Sequence, residues 1–550
     1  MKRVIFLVAF YISAINSLAQ IPQWQWATIG NNIDMGYGTS TEIDLMGNIY
    51  VSGSYLNTIT LDTFCFTSKG GFDVIVSKYN PSYQLLWAKS IGGIGDDAGT
   101  FTGGSVITVD AANNIYLSFP FADSIVVDSH TYYSKGGKDI AIIKFDSIGN
   151  LIWGKSYGSI YDDRPSKIIL KNNRLYLCGE FSKGGTDSIK FDSLKLISKG
   201  NSDIFFFKSD TTGSIIWAKG VGNSLGDVPA GIAVDKSDNI YITGNTGGNL
   251  KLENDTLWNV NANGMNFIVK YDSTGYELWA KSAYSSGVHY STDVCVDTNN
   301  NVYTTGFTTD DNTIKFGSIW LISQWVNKTY LAKYAPNGQL VFAKLISTYT
   351  YYDKAHSLKI NPLDNTIYLC GGYNYLANYG SDTLHSYGHD DVLVLKLDEN
   401  GNVLWATHAG GGSQDGAYAL AVAPNGDIAV TGYTQSNPCK FGNQQVSSVG
   451  DYDIFIAKLS QTTGIANSPE KESLDIYPNP ADEVIFIRSK EAIASIKVYD
   501  PMGRLVKERD NLLQTKEVSI VTKDLAEGIY YVQVTMVNGY QVTEKMIVGR

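Results

Sequence analysis

Apolar and polar residues alternate along this chain in short runs that are separated by turns rich in Gly, Asn and Asp. One stretch shows four such runs in succession: Val106–Asp110, Asn114–Ser118, Asp139–Lys144 and Leu151–Lys155. Alternation with a period of two between turn residues predicts β-strands. The short turns between the runs predict antiparallel hairpins. Each group of four runs therefore predicts a four-stranded antiparallel meander.

The same group recurs seven times, with a period of roughly sixty residues. Three landmarks mark the period. An aromatic residue opens an aromatic-Ala-Lys type segment at Trp26, Trp87, Trp153, Trp217, Trp279, Phe342 and Trp405. An Ile-Tyr type strand ends at Gly53, Phe119, Gly179, Gly244, Gly306, Gly371 and Gly432. An Asp-Ile-x-x-x-Lys type strand starts at Asp73, Asp139, Asp203, Asn266, Thr329, Asp391 and Asp453. Radial repetition of four-stranded sheets is typical of a β-propeller.

The repeat is out of phase at its two ends. It begins with a fourth-strand segment, Gln23–Ala27, and it ends with a third-strand segment, Asp453–Lys458. The first segment is therefore expected to complete the last sheet, which leaves no sheet edge open at the junction. We predict an all-β, seven-bladed propeller over residues 20–460 that is closed by its N-terminal strand and is monomeric.

The repeat units resemble a bacterial β-propeller repeat family, the SBBP-like repeats. The resemblance rests on Gly95–Asp97, Ile240–Gly244 and Asp453–Lys458. It implies the propeller fold over about four-fifths of the chain. It leaves the activity open, because propellers of one fold carry many roles.

The N-terminus has the composition of a secretory signal peptide. Lys2 and Arg3 precede an apolar stretch, and Ser17-Leu18-Ala19 is a small-x-small cleavage site. We predict a signal peptide over residues 1–19, with cleavage between Ala19 and Gln20. Later apolar runs are too short for a membrane-spanning helix, so none is expected.

The repeat stops after Ser460. A polar stretch over residues 461–473 is predicted to be a linker, and residues 474–550 a small Ig-like β-sandwich. Strands are expected at Val484–Ile487 and Ile496–Tyr499, and a hairpin is expected around Asn538-Gly539.

This last segment resembles the type A C-terminal sorting domain of the type IX secretion system. The matching positions include Pro478, Asn479, Pro480, Gly503, Gly528 and Lys545. The resemblance implies Sec export through the periplasm and recognition by the type IX secretion machinery. It also implies removal of the domain and a final location that is secreted or on the outer-membrane surface.

Charge and motifs exclude several function classes. The formal net charge is −11, which argues against a nucleic-acid partner because such binding needs a basic surface. No sequence motif of a nucleophilic hydrolase, a zinc protease or a phosphate-binding loop is present. No cofactor is therefore expected, with calcium as the one candidate.

The longer connections, from second to third strand and from fourth to first strand, are expected on one face, called here the loop-rich face. Binding usually resides in variable loops on a rigid scaffold. One acidic or His position per unit precedes the innermost strand there: Asp34, Asp97, Asp163, Asp227, His289, Asp353 and Asp415. A ring of carboxylates at the channel mouth is one interpretation, and it could hold calcium or a basic partner. In the other interpretation each Asp accepts backbone N–H groups and locks its own turn.

A second candidate on that face is aromatic. The sixth unit is rich in tyrosine, and the candidate ligand-stacking residues are Tyr351, Tyr352, Tyr373, Tyr375 and Tyr379. The alternative is ordinary packing between neighbouring blades.

These features favour a non-enzymatic binding or adhesion scaffold for an extracellular glycan or protein. One alternative is a propeller-type glycan lyase or hydrolase that works at the channel mouth with the Asp ring. Such an enzyme should interrupt the repeat with unique acid or base residues. The other alternative is a structural surface-coat protein, which would self-associate.

Overall fold

The structure is a computed structural model that describes residues 21–98, 104–183, 187–259, 264–285, 287–309, 313–323, 327–460, 474–500, 504–509, 515–536 and 541–549. The signal peptide with Ala19 and Gln20, the linker 461–473 and Gly503 lie outside the described residues. The chain divides into two compact units, Met1–Thr463 and Gly464–Arg550. Within the described ranges all regular structure is β, and no helix is long and apolar enough to cross a membrane.

The first unit contains seven four-stranded antiparallel meanders, which we call blades 1 to 7. The inner strands are Gly36–Ile43, Val106–Val109, Asp162–Lys171, Asp227–Val234, His289–Val296, Tyr349–Ile360 and Asp415–Val422. The second strands are Ile49–Tyr55, Ile115–Phe121, Arg174–Lys183, Ile240–Thr246, Val302–Thr308, Ile367–Tyr379 and Ile428–Thr434. The third strands are Asp73–Tyr79, Asp139–Phe145, Asp203–Asp210, Met265–Tyr271, Lys328–Tyr334, Asp382–Leu397 and Asp453–Ser460. The outer strands are Leu85–Ile91, Leu151–Tyr157, Ile215–Val221, Glu277–Ser285, Leu340–Leu345, Val403–Ala409 and Gln23–Asn32.

The ring closes as the phase of the repeat predicts. Each inner strand packs against the inner strand of the next blade, and blade 7 packs against blade 1. Gln23–Asn32 is the outer strand of blade 7 and pairs antiparallel with Asp453–Ser460, with Ala27 opposite Ala457. Trp24 then packs in the apolar core between blades 6 and 7. The seven-bladed propeller closed by its N-terminal strand is confirmed.

The landmark residues of the repeat hold neighbouring blades together. The Trp217 indole N–H donates to the Ser273 carbonyl in the next blade at 3.3 Å. The ammonium of Lys270 lies 5.1 Å from the ring centre of Tyr241, a cation–π distance. The Tyr241 hydroxyl in turn donates to Asp235 in the hairpin turn of its own blade at 3.1 Å. These landmarks therefore recur because they join the blades and cap the hairpins, and they carry no information about a ligand.

Six second-to-third connections fold into small two-stranded ribbons. They are Thr58–Leu61 with Phe64–Thr67, Ser124–Val127 with His130–Tyr133, Ser188–Phe191 with Leu194–Ile197, Leu250–Lys251 with Thr256–Leu257, Thr313–Phe316 with Ile319–Ile322, and Cys439–Phe441 with Gln444–Val446. The ribbons of blades 1 and 5 pair with the outer strand of the preceding blade. In blade 6 the second and third strands are themselves extended and take the place of a ribbon.

The second unit is rich in strands, as predicted. Its strands are Asp475–Tyr477, Val484–Tyr499, Leu505–Arg509, Thr515–Val521, Gly528–Met536 and Gln541–Val548. The two strands expected at 484–487 and 496–499 are parts of one long strand, which corrects that prediction. Residues 484–488 of this strand pair with Thr515–Val521, and residues 493–499 pair with Gly528–Met536. The long strand therefore serves two sets of partners around one apolar core.

Candidate functional site

The inner strands enclose a central channel. Its volume is about 990 Å³, which is the size of a small-molecule site. All seven blades contribute lining residues, which come mainly from the inner strands. The fold thus provides one concave site on the axis of the ring.

A β-bulge at one recurrent position of the inner strands turns an extra side chain toward the channel. Six inner strands show this register shift, for example between Pro165 and Lys167 and between Ala355 and Ser357. A bulged residue has no partner on the neighbouring strand, which frees its side chain for another direction. The residues at the bulge position, with the corresponding residue of blade 2, all line the channel: Thr39, Ser105, Ser166, Ala230, Thr292, His356 and Tyr418. Five of the seven are small, and only blades 6 and 7 place a ring there.

One side of the channel is aromatic. Consecutive ring centres lie 5.2 Å apart for Tyr290 and Phe307, 6.4 Å for Phe307 and His356, 5.1 Å for His356 and Tyr418, and 5.3 Å for Tyr418 and Tyr433. We call these five residues the aromatic arc. All of them line the channel along blades 5 to 7. The arc offers a continuous set of ring faces and edges to a ligand.

The opposite side is polar and has unsatisfied groups. On blade 3, Arg164 Nε and Glu180 Oε2 are buried and have no hydrogen-bond partner among the residues that the structure describes. Glu180 is only 5% exposed, although both residues line the channel. Arg164 donates to Asp162 through Nη2 at 3.0 Å, so only part of its donor capacity is used. A buried donor and a buried acceptor without partners cost free energy, and a ligand would recover it once the two side chains turned toward the channel.

Two ion pairs bridge the channel on the hairpin side of the bulges. Lys167 of blade 3 contacts Asp293 of blade 5 at 3.0 Å, and Lys359 of blade 6 contacts Glu42 of blade 1 at 3.1 Å. Burial lowers the pKa of Lys359, but Glu42 and nearby groups outweigh that effect, so its pKa lies above the ordinary value. Asp293 also accepts the Leu358 backbone N–H at 3.0 Å. These ion pairs place charged groups across the channel on this side, away from the loop-rich face.

The residues predicted to ring the channel mouth lie inside the loops instead. None of Asp34, Asp97, Asp163, Asp227, His289, Asp353 and Asp415 lines the channel. Asp227 accepts the Asn223 N–H at 2.7 Å, and Asp415 accepts the Gly411 N–H at 2.8 Å, each from four residues earlier. Asp163 accepts the N–H groups of Ser159 and Ser182 at 2.5 and 2.9 Å. The carboxylates therefore lock the loops that precede the inner strands, which corrects the channel-ring interpretation.

Asp97 and Asp353 behave in the same way, whereas His289 and Asp34 differ. Asp97 accepts the N–H groups of Gly93 and Ala122. Asp353 accepts the Thr329 N–H and the Tyr379 hydroxyl. The ring nitrogens of His289 lie 3.2 and 3.3 Å from the backbone carbonyls of Gly287 and Ala283. Asp34 is partly exposed and lies two residues before the equivalent strand position, which Gly36 occupies in blade 1.

Burial also shifts the titration of these carboxyl groups. It raises the pKa of Asp163 to about 7 and the pKa values of Asp97, Asp227 and Asp415 to about 6. Within the described ranges, no group of three or more His, Cys, Asp or Glu side chains is arranged to hold a metal ion. The geometry gives the predicted calcium ring no support.

The tyrosines predicted to stack on a ligand do not form one surface. Tyr373 and Tyr379 are fully buried inside blade 6, with ring centres 6.4 Å apart, so the structure corrects their assignment as exposed stacking residues. Tyr375 is 62% exposed and has a positive φ of 57° on the loop-rich side of blade 6. Tyr352 lines the channel. The side chain of Tyr351 lies outside the described part of the structure.

Sequence reasoning missed the aromatic arc, although one signal was present. In blades 3 to 7 the bulge position comes three residues after the Asp or His of the predicted ring. Ser, Ala or Thr stands there in blades 3 to 5, and His356 and Tyr418 interrupt that series in blades 6 and 7. An alignment of the seven units at this position marks these two residues as the unusual ones.

Comparison with known families agrees with both halves of the architecture. Residues 475–549 match the secretion system C-terminal sorting domain, and residues 216–251 match the β-propeller repeat. The chain is an exported β-propeller repeat protein. Its sorting domain directs it through the type IX secretion system to the cell surface or the medium.

Similarities to more distant proteins do not indicate an activity for this chain. An uncharacterised WD repeat-containing protein of Acanthamoeba polyphaga mimivirus is 22% identical over an alignment of 370 residues, and the match covers 53% of this chain and 27% of that protein. The chain thus spans about a quarter of the length of this relative. Among solved structures, puromycin hydrolase is 9% identical, with 86% of this chain and 62% of that chain covered and a TM-score of 0.39. A member of the DUF4221 family from Bacteroides vulgatus is also 9% identical, with 81% and 99% covered and a TM-score of 0.33.

The positions that match the sorting-domain motif have clear structural partners. Asn479, between the exposed Pro478 and Pro480, donates to the Lys545 carbonyl at 3.0 Å and accepts the Ile547 N–H at 2.8 Å. Gly528 begins the strand that pairs with this last strand. The motif therefore fixes the C-terminal strand of the exported protein to the start of its sorting domain.

Proposed function

We propose that the exported propeller is a non-enzymatic saccharide-binding protein whose ligand enters the central channel from the loop-rich face. The observation that carries this proposal is the contrast between the two sides of the channel. The aromatic arc lines one side of the channel. Arg164 Nε and Glu180 Oε2, which have no partner among the described residues, lie on the opposite side.

A sugar ring matches this contrast. Its C–H faces pack on aromatic rings, and each of its hydroxyl groups can both donate and accept a hydrogen bond. Neighbouring hydroxyls could accept from Arg164 and donate to Glu180. Each such bond to a charged group contributes about 1.5–3 kcal/mol when it replaces an unsatisfied buried contact.

The location also favours a polymeric extracellular ligand. A protein at the cell surface or in the medium encounters glycans directly, and in this proposal a chain end enters the channel from the loop-rich face. A protein ligand was the other candidate at the sequence level. A flat protein surface would use the loops rather than the channel, because standard protein interfaces bury about 800 Å² per partner.

The experiment is a glycan panel tested against the intact protein and against a variant with a filled channel. Ala230 lies at the bulge position of blade 4 and lines the channel, so Ala230→Trp should fill the space and abolish binding. Ala112→Trp is the matched control, since Ala112 is an exposed residue of a hairpin turn. Unchanged binding by Ala230→Trp would place the site elsewhere and refute the proposal.

A glycan lyase or hydrolase at the same channel is the second candidate, although it no longer has the Asp ring. The observation in its favour is the pair His356 and Tyr418, which interrupts the series of small bulge residues. Burial lowers the pKa of His356 to about 4, so its imidazole is neutral near pH 7 and is a weak general base there, which counts against this candidate. New reducing ends or unsaturated products that are lost in His356→Ala and Tyr418→Phe would favour the enzyme over the binding protein.

A further inference from the structure

Lys354 differs from the other cations of the channel. Its ammonium lies 4.9 Å from the ring centre of Phe307 and 4.7 Å from that of Tyr352, so it lies between two aromatic faces. The residue is half-buried and lines the channel on the loop-rich side of the His356 bulge. Among the described residues, no carboxylate lies within 4.0 Å of its Nζ and no acceptor forms a hydrogen bond with it.

The remaining cations that line the channel are all matched by a carboxylate. Arg164 contacts Asp162 at 3.0 Å, and Lys183 contacts Glu180 at 3.5 Å. Lys167 and Lys359 form the two ion pairs that bridge the channel. Lys354 is thus the lining cation that has no carboxylate partner among the described residues. Its charge is available to an anionic group of a ligand.

An unpaired ammonium in a partly dry site is unfavourable unless a partner is supplied. Cation–π contacts offset part of the cost, and they leave the three N–H donors of the lysine unused. Burial lowers the pKa of Lys354, and the Asp390 carboxylate opposes that shift without reaching salt-bridge distance. An anionic group that entered the channel would meet a donor already held in place by two rings.

We propose that Lys354 binds an anionic substituent, carboxylate or sulfate ester, of the saccharide that occupies the channel. This inference rests on the proposed function. It adds selectivity: the aromatic arc and the blade 3 pair hold the sugar ring, and Lys354 distinguishes acidic sugars from neutral ones. In a chain with a net charge of −11, long-range attraction does not supply this preference, so it must come from this local contact.

The test compares three small probes that share one ring: methyl β-D-glucuronide, methyl β-D-glucoside 6-sulfate and methyl β-D-glucoside. The glycan panel is extended to include matched acidic and neutral members. Calorimetry on the intact protein should show an anionic form bound about tenfold more tightly than its neutral counterpart, the scale of one charge-assisted hydrogen bond. The preference should weaken as salt is raised, since a half-exposed ion pair is partly screened.

Substitutions isolate the role of the ammonium. Lys354→Met should remove the preference while it keeps affinity for the neutral member of each pair, and Lys354→Arg should retain the preference. Lys315→Met is the matched control. Lys315 lies between two rings in the same way, 5.6 Å from Tyr284 and 4.8 Å from Trp320, but on a ribbon that does not line the channel.

The outcomes separate the two proposals. Binding of saccharides with no difference between acidic and neutral partners, or a preference that survives Lys354→Met, overturns the inference and leaves the saccharide-binding proposal standing. A preference for only one of the two anionic probes identifies the carboxylate or the sulfate as the natural group. Failure of every probe and every panel member to bind overturns both proposals.

Discussion

At the scale of single residues, the buried aspartates of this propeller act on their own loops. The carboxylate of Asp203 occupies the place where a Cβ on Gly222 would lie, with Oδ1 2.0 Å from that point. The same fit recurs between Asp73 and Gly92, between Asp139 and Gly158, and between Asp391 and Gly410. The sequence shows the spacing of these Gly and Asp positions. For the separate set that includes Asp97 and Asp163, the sequence does not show whether a carboxylate turns back to its loop or toward the axis, which is why the channel ring was predicted.

This fit makes a loop glycine sensitive to one added methyl group. Gly222→Ala should lower the free energy of unfolding by about 1–3 kcal/mol, because the Cβ and the Asp203 carboxylate cannot both be accommodated. Gly412→Ala is the control in the equivalent loop between blades 6 and 7, since a Cβ there meets no atom within 4 Å. Equal melting temperatures for the two variants in a thermal unfolding experiment would contradict the fit.

The same aspartates predict how stability depends on pH. Burial raises the pKa of Asp73 and Asp163 to about 7 and of Asp139 to about 6, above the ordinary value near 4. The folded state then holds these protons more tightly than the unfolded state, so their contribution is fully present below about pH 4 and is lost as pH rises through 6 to 7. The melting temperature should therefore fall between pH 5 and pH 8, as measured by calorimetry.

The overall negative charge of the chain also lowers the melting temperature as the pH rises. A variant distinguishes this repulsion from the titration of the buried aspartates. Asp73→Asn removes one buried titrating group and should flatten the dependence more than high salt does. A melting temperature that is constant or higher at pH 8 would contradict this account.

At the scale of elements, the strands and their ring could be predicted, whereas the bulges could not. The phase of the repeat placed Gln23–Ala27 beside Asp453–Lys458, because an antiparallel meander that lacks one strand has a unique place for the spare one. The bulge at the inner strands is one extra residue in a short polar run, and periodicity does not reveal it. The aromatic arc depends on that bulge, so it was missed together with it.

The closing strand gives a direct test at this scale. A circular permutant that begins at Gly36 and joins Gln23–Asn32 after Ser460 by a short turn restores the same pairing, since Gln23 lies opposite Ser460. It should unfold at nearly the same temperature as the parent. Deletion of Gln23–Asn32 should expose the Asp453–Ser460 edge and the core around Trp24, and should lower the melting temperature sharply or cause aggregation. A stable deletion variant would contradict closure by this strand.

At the scale of the whole molecule, the regular units provide a scaffold and the departures from regularity provide the candidate site. The repeat and the terminal signals predicted the fold and the export route from sequence alone. The ligand could not be predicted, because the residues that line the channel come from separate segments of all seven blades. The sequence does not show that His356, Tyr418 and Lys354 line one channel. Only the closed ring brings them together there.

Export should depend on the sorting domain. Deletion of residues 474–550 should leave the propeller in the periplasm, where fractionation and surface proteolysis of whole cells would find it protected. The full-length protein is the control and should reach the surface or the medium. Normal surface exposure of the shortened protein would contradict the role of the domain.

The central claim is that the channel is the binding site, and a crystal structure of the protein with its tightest-binding saccharide tests it most directly. We predict a sugar ring packed against the aromatic arc at Tyr418, with hydroxyl groups within hydrogen-bond distance of the Arg164 and Glu180 side chains. A saccharide bound at the exposed Tyr375, on the outer ribbons or elsewhere outside the channel would contradict the account.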